Sequence, residues 1–309
     1  MPYQFVYYNK ISKEFLKPII LRDEYCSLNN GIPEPVVDDY VNLYVKVTSR
    51  CHYNCKFCEY HSFTSKKLDC DKLILVLNKI KNSGTKVRKF SVTGGEPTKI
   101  DIDILRNILY SSKYYFPDVF NVINTNGNNL LNLVNSTNEL VDSYSISIHH
   151  YDNHKLVSIF GDKYLDISND LKELISKYGS DKFHVSCNLI KGYIDSSEEV
   201  LKYLNWLSSL GVTDVGFVSL MSINQFCKDN YVDAYKVLGN IDSPRFIRTK
   251  CWNDKDRCEC SNYMYIPDNS TNVMKVYSRY CKNHNQYSPS TLVYDINELK
   301  DRFNGYKIF

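Results

Sequence analysis

Between residues 41 and 220 the chain switches repeatedly between two hydrophobic periods. Short runs rich in β-branched and aromatic residues recur at 43–50 (LYVKVTSR), 89–94 (KFSVTG), 119–127 (VFNVINTNG), 143–150 (SYSISIHH), 182–190 (KFHVSCNLI) and 215–220 (VGFVSL). Each reads as a strand. Between them lie segments with helical spacing: Leu73, Ile74, Leu77 and Ile80; Ile104, Ile108 and Leu109; Leu171, Leu174 and Ile175. A further helix before the sixth strand opens on Ser196 with Glu199 three residues on, a capping box, and closes at Gly211. Strands alternating with helices predict an α/β fold with a parallel sheet and right-handed crossovers. Six units suit a partial (β/α)6 barrel better than a complete eight-fold one, and chemistry then belongs at the carboxyl ends of the strands.

The alternation stops after Ile241-Asp242-Ser243-Pro244. The expected organisation is an N-terminal extension with a strand or two over 1–40, the barrel over 41–243, and a small cluster-binding domain over 244–309. Strand-like runs are expected there around Lys275–Tyr280 and Thr291–Tyr294. The 309 residues are 43% hydrophobic and 24% charged with nine Pro and twelve Gly, which excludes disorder and collagen-like structure. Apolar runs such as Leu73–Leu77 fall far short of the ~20 residues of a membrane span. The opening MPYQFVYYNKISKEF lacks the layout of a secretion signal, so a cytoplasmic protein without a membrane partner is expected. A net charge of +3 is too balanced to imply nucleic acid.

Eleven cysteines change the picture, because seven fall in two clusters. In a reducing compartment clustered cysteines are metal ligands or catalytic groups more often than disulfides. Cys70, Cys187 and Cys227 have apolar neighbours and read as small core residues. The first cluster, Ser-Arg-Cys51-His-Tyr-Asn-Cys55-Lys-Phe-Cys58, directly follows the first strand with spacing C-x3-C-x2-C. Three thiolates on one loop can hold three irons of a 4Fe–4S cube and leave the fourth open. Zinc, completed by His52 or His61, is the competing metal on spacing alone.

The motifs that follow resemble those of the radical S-adenosylmethionine superfamily. The three-cysteine loop, with an aromatic before its last Cys, is similar to the family's cluster loop. Thr93-Gly94-Gly95-Glu96-Pro97-Thr98 is similar to its GGEP motif, Asn124-Thr125-Asn126-Gly127 to its TNG, and Asn188-Leu189-Ile190-Lys191-Gly192 to its N-x-V-x-x-G. The resemblance covers roughly residues 41–220, with every motif at the carboxyl end of its strand. It implies that Cys51, Cys55 and Cys58 hold a 4Fe–4S cluster. It also implies that Gly94, Gly95, Glu96, Pro97, Thr125, Asn126, Ser147 and Asn188 bind S-adenosylmethionine. Gly94 and Gly95 would let the backbone approach the methionine amino group, with the Glu96 charge beside it. The implied chemistry is reductive cleavage of the cofactor to methionine and a 5′-deoxyadenosyl radical, which takes hydrogen from a substrate carbon.

The second cluster, Cys251, Cys258, Cys260 and Cys281, has spacing C-x6-C-x-C-x20-C. An auxiliary iron–sulfur cluster, a structural zinc and unpaired thiols all fit it. The resemblance favours the first, as in the subgroup that includes the molybdenum-cofactor GTP cyclase, whose last barrel strand Val215–Met221 also resembles. The cysteine spacing departs from that enzyme's, and its double-glycine tail is replaced by Tyr306-Lys307-Ile308-Phe309. Alternation sets His149 on the face of Ser145 and Ser147, which makes it the candidate for proton transfer or substrate binding. Ser219, Lys191 and Arg279 are weaker substrate candidates.

The function these readings lead to is hydrogen abstraction from a small-molecule substrate (a nucleotide, sugar or natural product), with a flavodoxin or ferredoxin as electron donor. A peptide-modifying maturase is the alternative. A non-enzymatic metal-binding protein is the remote one.

Overall fold

A computed structural model describes residues 19–22, 35–38, 40–58, 68–249, 262–268, 270, 272–279, 291–295 and 306–307. Ahead of the barrel, β1 (Ile19–Arg22) and β2 (Pro35–Asp38) form a separate antiparallel pair. The alternating region then runs β3 (Tyr40–Lys46), α1 (Cys70–Asn82), β4 (Lys86–Thr93), α2 (Ile102–Tyr115), β5 (Phe120–Thr125) and α3 (Leu130–Thr137). It continues with β6 (Ser143–Ser147), α4 (Asn153–Phe160), α5 (Ser168–Tyr178), β7 (Phe183–Leu189), α6 (Ser197–Ser209) and β8 (Asp214–Ser219). Two short helices, α7 (Gln225–Asp229) and α8 (Ala234–Gly239), lead to β9 (Phe246–Thr249), β10 (Asn262–Tyr265), β11 (Met274–Arg279), β12 (Thr291–Asp295) and β13 (Tyr306–Lys307).

Strands β3 to β8 pair in chain order and in parallel. This is the six-stranded partial barrel that the alternation predicts, within a mostly parallel sheet that does not close. The tail strands extend the same sheet on both sides. β11 lies parallel to β8 and carries β10 and β9 antiparallel beyond it, while β12 lies parallel to β3 with β13 outside it. Tyr277 of β11 stacks on His184 of β7 at 5.3 Å between ring centroids, and His184 Nδ1 meets Asp214 Oδ1 at 2.8 Å. Those three side chains fasten the tail to the barrel across β8.

The helices cover one face of the sheet because their apolar stripes match it. In α1, Leu73, Val76, Leu77 and Ile80 are buried, and Asp69 caps the first turn by accepting from Lys72 N at 2.9 Å. Ile74, expected on that stripe, is 38% exposed, since Val76 supplies the position one helical turn before Ile80. In α2 the stripe is Leu105, Ile108, Leu109 and Ser112. Ser196 caps α6 through Glu199 N, and Gly211 follows that helix at φ +91°. The return half of the capping box is replaced: the Glu199 carboxylate accepts from Tyr151 Oη at 2.8 Å and pairs with Lys202 at 3.0 Å.

The other face of β6 and β7 behaves differently. Phe183, Val185, Cys187 and Leu189 are buried, whereas the alternate residues His184, Ser186 and Asn188 are half-buried. In β6, Ser143, Ser145 and Ser147 alternate in the same way with buried Tyr144 and Ile146. Complete barrels fill this interior with bulky aliphatic residues. Short hydroxyl and amide side chains leave it a polar trough, with its open end at the carboxyl ends of the strands.

The burial pattern separates neighbouring positions of α2. Leu109→Ala is expected to cost about 2–5 kcal/mol in urea unfolding. Tyr110→Ala, at a residue 64% exposed, is expected to stay within about 0.5 kcal/mol of wild type.

Candidate active site at the carboxyl ends of the strands

The loop that carries Cys51, Cys55 and Cys58 leaves β3 and lies directly on the turn after β4. Gly95 N donates to Thr48 O at 2.6 Å and Glu96 N to Arg50 O at 2.8 Å. A Cβ on Gly95 would sit 2.3 Å from Arg50 O and 2.6 Å from Ser49 O. One on Gly94, whose φ is +138°, would sit 2.3 Å from Thr48 O. The groups pressed against both glycines are therefore the chain's own carbonyls on the approach to Cys51. That contact is by itself a sufficient reason for glycine at both positions.

More distant elements hold the rest of the loop. Asn54 N donates to Phe160 O at 2.9 Å, at the end of α4. Asn224 Nδ2 donates to Lys56 O at 3.1 Å, and the Cys227 thiol to Phe57 O at 3.6 Å. Tyr53 is buried against Phe160 and Tyr164. Cys187 is a buried residue on the helix-covered face, and Cys70 is half-buried at the start of α1.

The three thiols are shaped by burial and by one another. Burial raises the Cys51 thiol above its ordinary range, with the Glu96 and Cys58 charges adding to the shift. Burial raises Cys55 further, and its two neighbouring cysteines add to it. Deprotonating such a set requires bound positive charge. Among the described residues no three His, Cys, Asp or Glu side chains gather around a single-ion position. Three thiols on one loop can each ligate one iron of a 4Fe–4S cluster. Ser49 Oγ and His52 Nδ1, which flank Cys51, are buried without a hydrogen-bond partner, so polar capacity is left over beside that thiol.

Glu96 joins this loop to the end of β5. Its side chain is fully buried. Oε1 accepts from Thr98 N, Thr98 Oγ1 and Thr125 Oγ1 at 3.2, 3.1 and 2.8 Å, and Oε2 accepts from Asn126 N at 2.7 Å. Burial raises its pKa despite these four bonds, because every donor is neutral. Oε2 retains a second acceptor position, suited to a cationic donor. Pro97 is buried in the 3-10 turn Pro97–Lys99. Asn126 Nδ2 donates to Cys51 Sγ at 3.3 Å, a contact that the motif spacing does not reveal.

His149 is packed more tightly than strand alternation suggests. It is 3% exposed, stacked on Phe160 and set edge-on to Phe57 of the cysteine loop, with centroids 5.2 and 5.0 Å away. Its Nδ1 accepts from Asn188 N at 3.1 Å. Burial lowers its pKa to about 3, so the ring is neutral. His150 Nδ1 accepts from Asp152 N instead. Ser147 and Asn188 stay half-buried beside the trough. Ser219 Oγ is engaged by Ala234 N at 2.9 Å at the start of α8, and Lys191 is exposed. The Arg279 side chain and Cys251, Cys258, Cys260 and Cys281 lie outside the described residues.

The Radical SAM superfamily matches residues 45–223, more than half of the chain. The chain belongs to that superfamily and is an enzyme; membership implies a 4Fe–4S cluster and S-adenosylmethionine. No curated protein sequence matches it. Among solved structures it is similar to Streptococcus suis SuiB bound to precursor peptide SuiA, at 16% identity over 67% of this chain and 45% of that one, with a TM-score of 0.50. It is also similar to native anSMEcpe with bound AdoMet and a peptide, at 17% identity over 65% of this chain and 57% of that one, TM-score 0.50. Coproporphyrinogen III oxidase (HemN) from Escherichia coli matches at 13% identity over 65% and 51%, TM-score 0.48. These likenesses are of fold, and the chain spans about half the length of the structures it matches. Among the described residues no helix is long and apolar enough to cross a membrane.

Two outcomes follow from this geometry. Gly95→Ala is expected to keep the far-UV circular dichroism of the fold but to lose iron uptake several-fold on anaerobic reconstitution. Gly239→Ala, whose Cβ meets nothing within 4 Å, is expected to take up iron like wild type. His149 must gain a proton on unfolding wherever the pH lies between about 3 and 6.5, so the native state binds fewer protons there. Stability should fall as the pH drops below about 6.5, by up to about 1.4 kcal/mol per unit from this group. Urea midpoints across that window should show a shallower slope for His149→Phe.

Proposed function

We propose that this enzyme abstracts hydrogen from a polar small molecule held over the polar face that β6 and β7 share, with Cys51, Cys55 and Cys58 ligating the cluster. The observation that carries the reading is the cysteine loop locked onto the Gly94-Gly95-Glu96 turn beside a buried carboxylate with an unused acceptor. The chemistry that cluster and S-adenosylmethionine supply when bound is one-electron cleavage of a cofactor carbon–sulfur bond and hydrogen abstraction from a substrate carbon.

This chain's residues do the rest. Glu96 Oε2 receives the cofactor's ammonium, which relieves a carboxylate buried among neutral donors. Gly94 and Gly95 keep the cysteine loop and the Glu96 turn in contact, and Pro97 stiffens the turn. Thr125 and Asn126 wall the cofactor on the β5 side, and Ser147 and Asn188 offer it short polar groups from β6 and β7. His149 holds the Asn188 main chain and closes the aromatic wall with Phe57 and Phe160, which excludes water from the reacting carbon. A neutral, enclosed ring suits this positioning role. The half-buried Ser145 and Ser186, left over on the same face, suit a hydroxyl-rich nucleotide or sugar.

A second cluster on Cys251, Cys258, Cys260 and Cys281 is part of the same proposal. Its support is the strand directions at the sheet edge. Thr249 pairs with Asn262, and Asn262 with Tyr277, while β11 runs parallel to β8. The chain therefore leaves β9, enters β10 and leaves β11 at the end of the sheet where the first cysteine loop lies. A flavodoxin or ferredoxin would supply the electron.

Iron and sulfide analysis after anaerobic reconstitution checks both clusters. Wild type is expected to hold about eight irons and the Cys51→Ala/Cys55→Ala/Cys58→Ala variant about four. About four irons falling to none would remove the second cluster from the proposal. Release of methionine and 5′-deoxyadenosine under dithionite is expected from wild type and not from the triple variant. Acceleration of that release by peptides, and not by a panel of nucleotides and sugars, would transfer the assignment to a peptide substrate.

A further inference from the structure

We infer that Asn126 is a positioning residue for the first cluster: its side-chain amide, held in place by Glu96, donates to Cys51 Sγ and sets how readily that cluster accepts its electron. The inference rests on the reading that Cys51 ligates the cluster.

The geometry determines the direction of the hydrogen bond. Asn126 Oδ1 accepts from Asn128 N at 3.0 Å, which commits the oxygen to the turn and leaves Nδ2 to face Cys51 Sγ at 3.3 Å. An amide turned the other way would set oxygen against sulfur and nitrogen against an N–H, losing both bonds. The main chain beneath is fixed as well. Asn126 N donates to Glu96 Oε2 at 2.7 Å, Thr125 Oγ1 donates to Glu96 Oε1, and Gly127 N returns to Thr125 Oγ1 at 3.0 Å. Asn126 is itself buried, so water does not compete for the amide. The backbone N–H groups of Tyr53, at the longer distance of 3.5 Å, and of His52 also act on Cys51 Sγ, and neither is altered by substitution at Asn126.

An N–H donor near a cluster sulfur stabilises the more negative, reduced state more than the oxidised one. Hydrogen bonds to the sulfurs are among the factors that set cluster potentials. The step concerned is a one-electron reduction with dithionite as the source, and no bond is made or broken in it. Removing the amide should therefore make the cluster harder to reduce without removing a ligand. Asn126→Leu keeps the volume and removes both polar groups, while Asn126→Asp keeps the acceptor for Asn128 N and loses the donor.

The test poises the reconstituted full-length enzyme at a series of potentials and follows the EPR signal of the reduced cluster that S-adenosylmethionine perturbs. Iron and sulfide are measured on the same samples. At the wild-type midpoint, the ratio of reduced to oxidised cluster is expected to fall about ten-fold in both variants with iron content unchanged, a midpoint ~59 mV more negative for one electron. A midpoint equal to wild type in both variants with the cluster intact would overturn the inference. Loss of the cluster from both would overturn it too, since Asn126 would then serve assembly and not potential. Cys51→Ala tells this failure from failure of the underlying reading: retention of its full iron would show that Cys51 is no ligand, whatever the Asn126 variants do.

Discussion

Everything at the carboxyl end of this sheet depends on the contact between two backbones. A parallel sheet brings strand ends together, and Tyr53 and Phe57 pack the cysteine loop against Phe160, Tyr164 and His149, but apolar contacts alone do not fix the register of its backbone. Two main-chain hydrogen bonds, from Gly95 N and Glu96 N to Thr48 O and Arg50 O, supply that hold. They form only where the chain can approach within the radius of a methyl group, which is why two glycines stand in sequence. The carboxylate that follows extends the hold to a third strand by gathering Thr125 Oγ1 and Asn126 N. Cysteine loop, glycine turn and TNG turn thus form one hydrogen-bonded unit spanning β3, β4 and β5.

Much of this was legible in the sequence because its causes are local. Period-two runs marked all six barrel strands, and the cysteine, GGEP and TNG motifs follow the first three of them in order. The contribution of distant residues was not legible. Asn224 and Cys227 reach carbonyls of the cysteine loop across 168 and 170 residues of sequence, and nothing in their surroundings distinguishes them from an ordinary helix cap and core cysteine. Strands β9 and β10 are four residues each, too short for alternation to assert itself, and their pairing is set by β11. What presses on Gly94 and Gly95 was not legible for a related reason. A requirement for close approach reads the same in sequence whether the approaching atom belongs to a ligand or to the chain.

His149 shows a different limit. Alternation correctly set it in line with Ser145 and Ser147, yet alternation says only which side of a strand a residue takes. Phe57 and Phe160, brought in from the cysteine loop and from α4, turn that side into an enclosed pocket at this one position. Burial there holds the ring neutral, with its Nδ1 accepting from a main-chain N–H.

The same desolvation acts on Glu96 and His149 and in the same sense. It raises the Glu96 pKa and lowers that of His149, so each is driven toward its neutral form. Their consequences differ, because a histidine is stable in its neutral form whereas a carboxylate with four donors is arranged to be charged. Those four bonds favour the anion, and burial without a cation opposes it. A positively charged group at Oε2 would remove that opposition, and the donors already hold the carboxylate still. The protein has in effect bought the orientation of that charge in advance, through Thr98, Thr125 and the Asn126 main chain. Burial that raises the Glu96 pKa thus acts on a carboxylate already oriented by neutral donors, with one acceptor position left on Oε2.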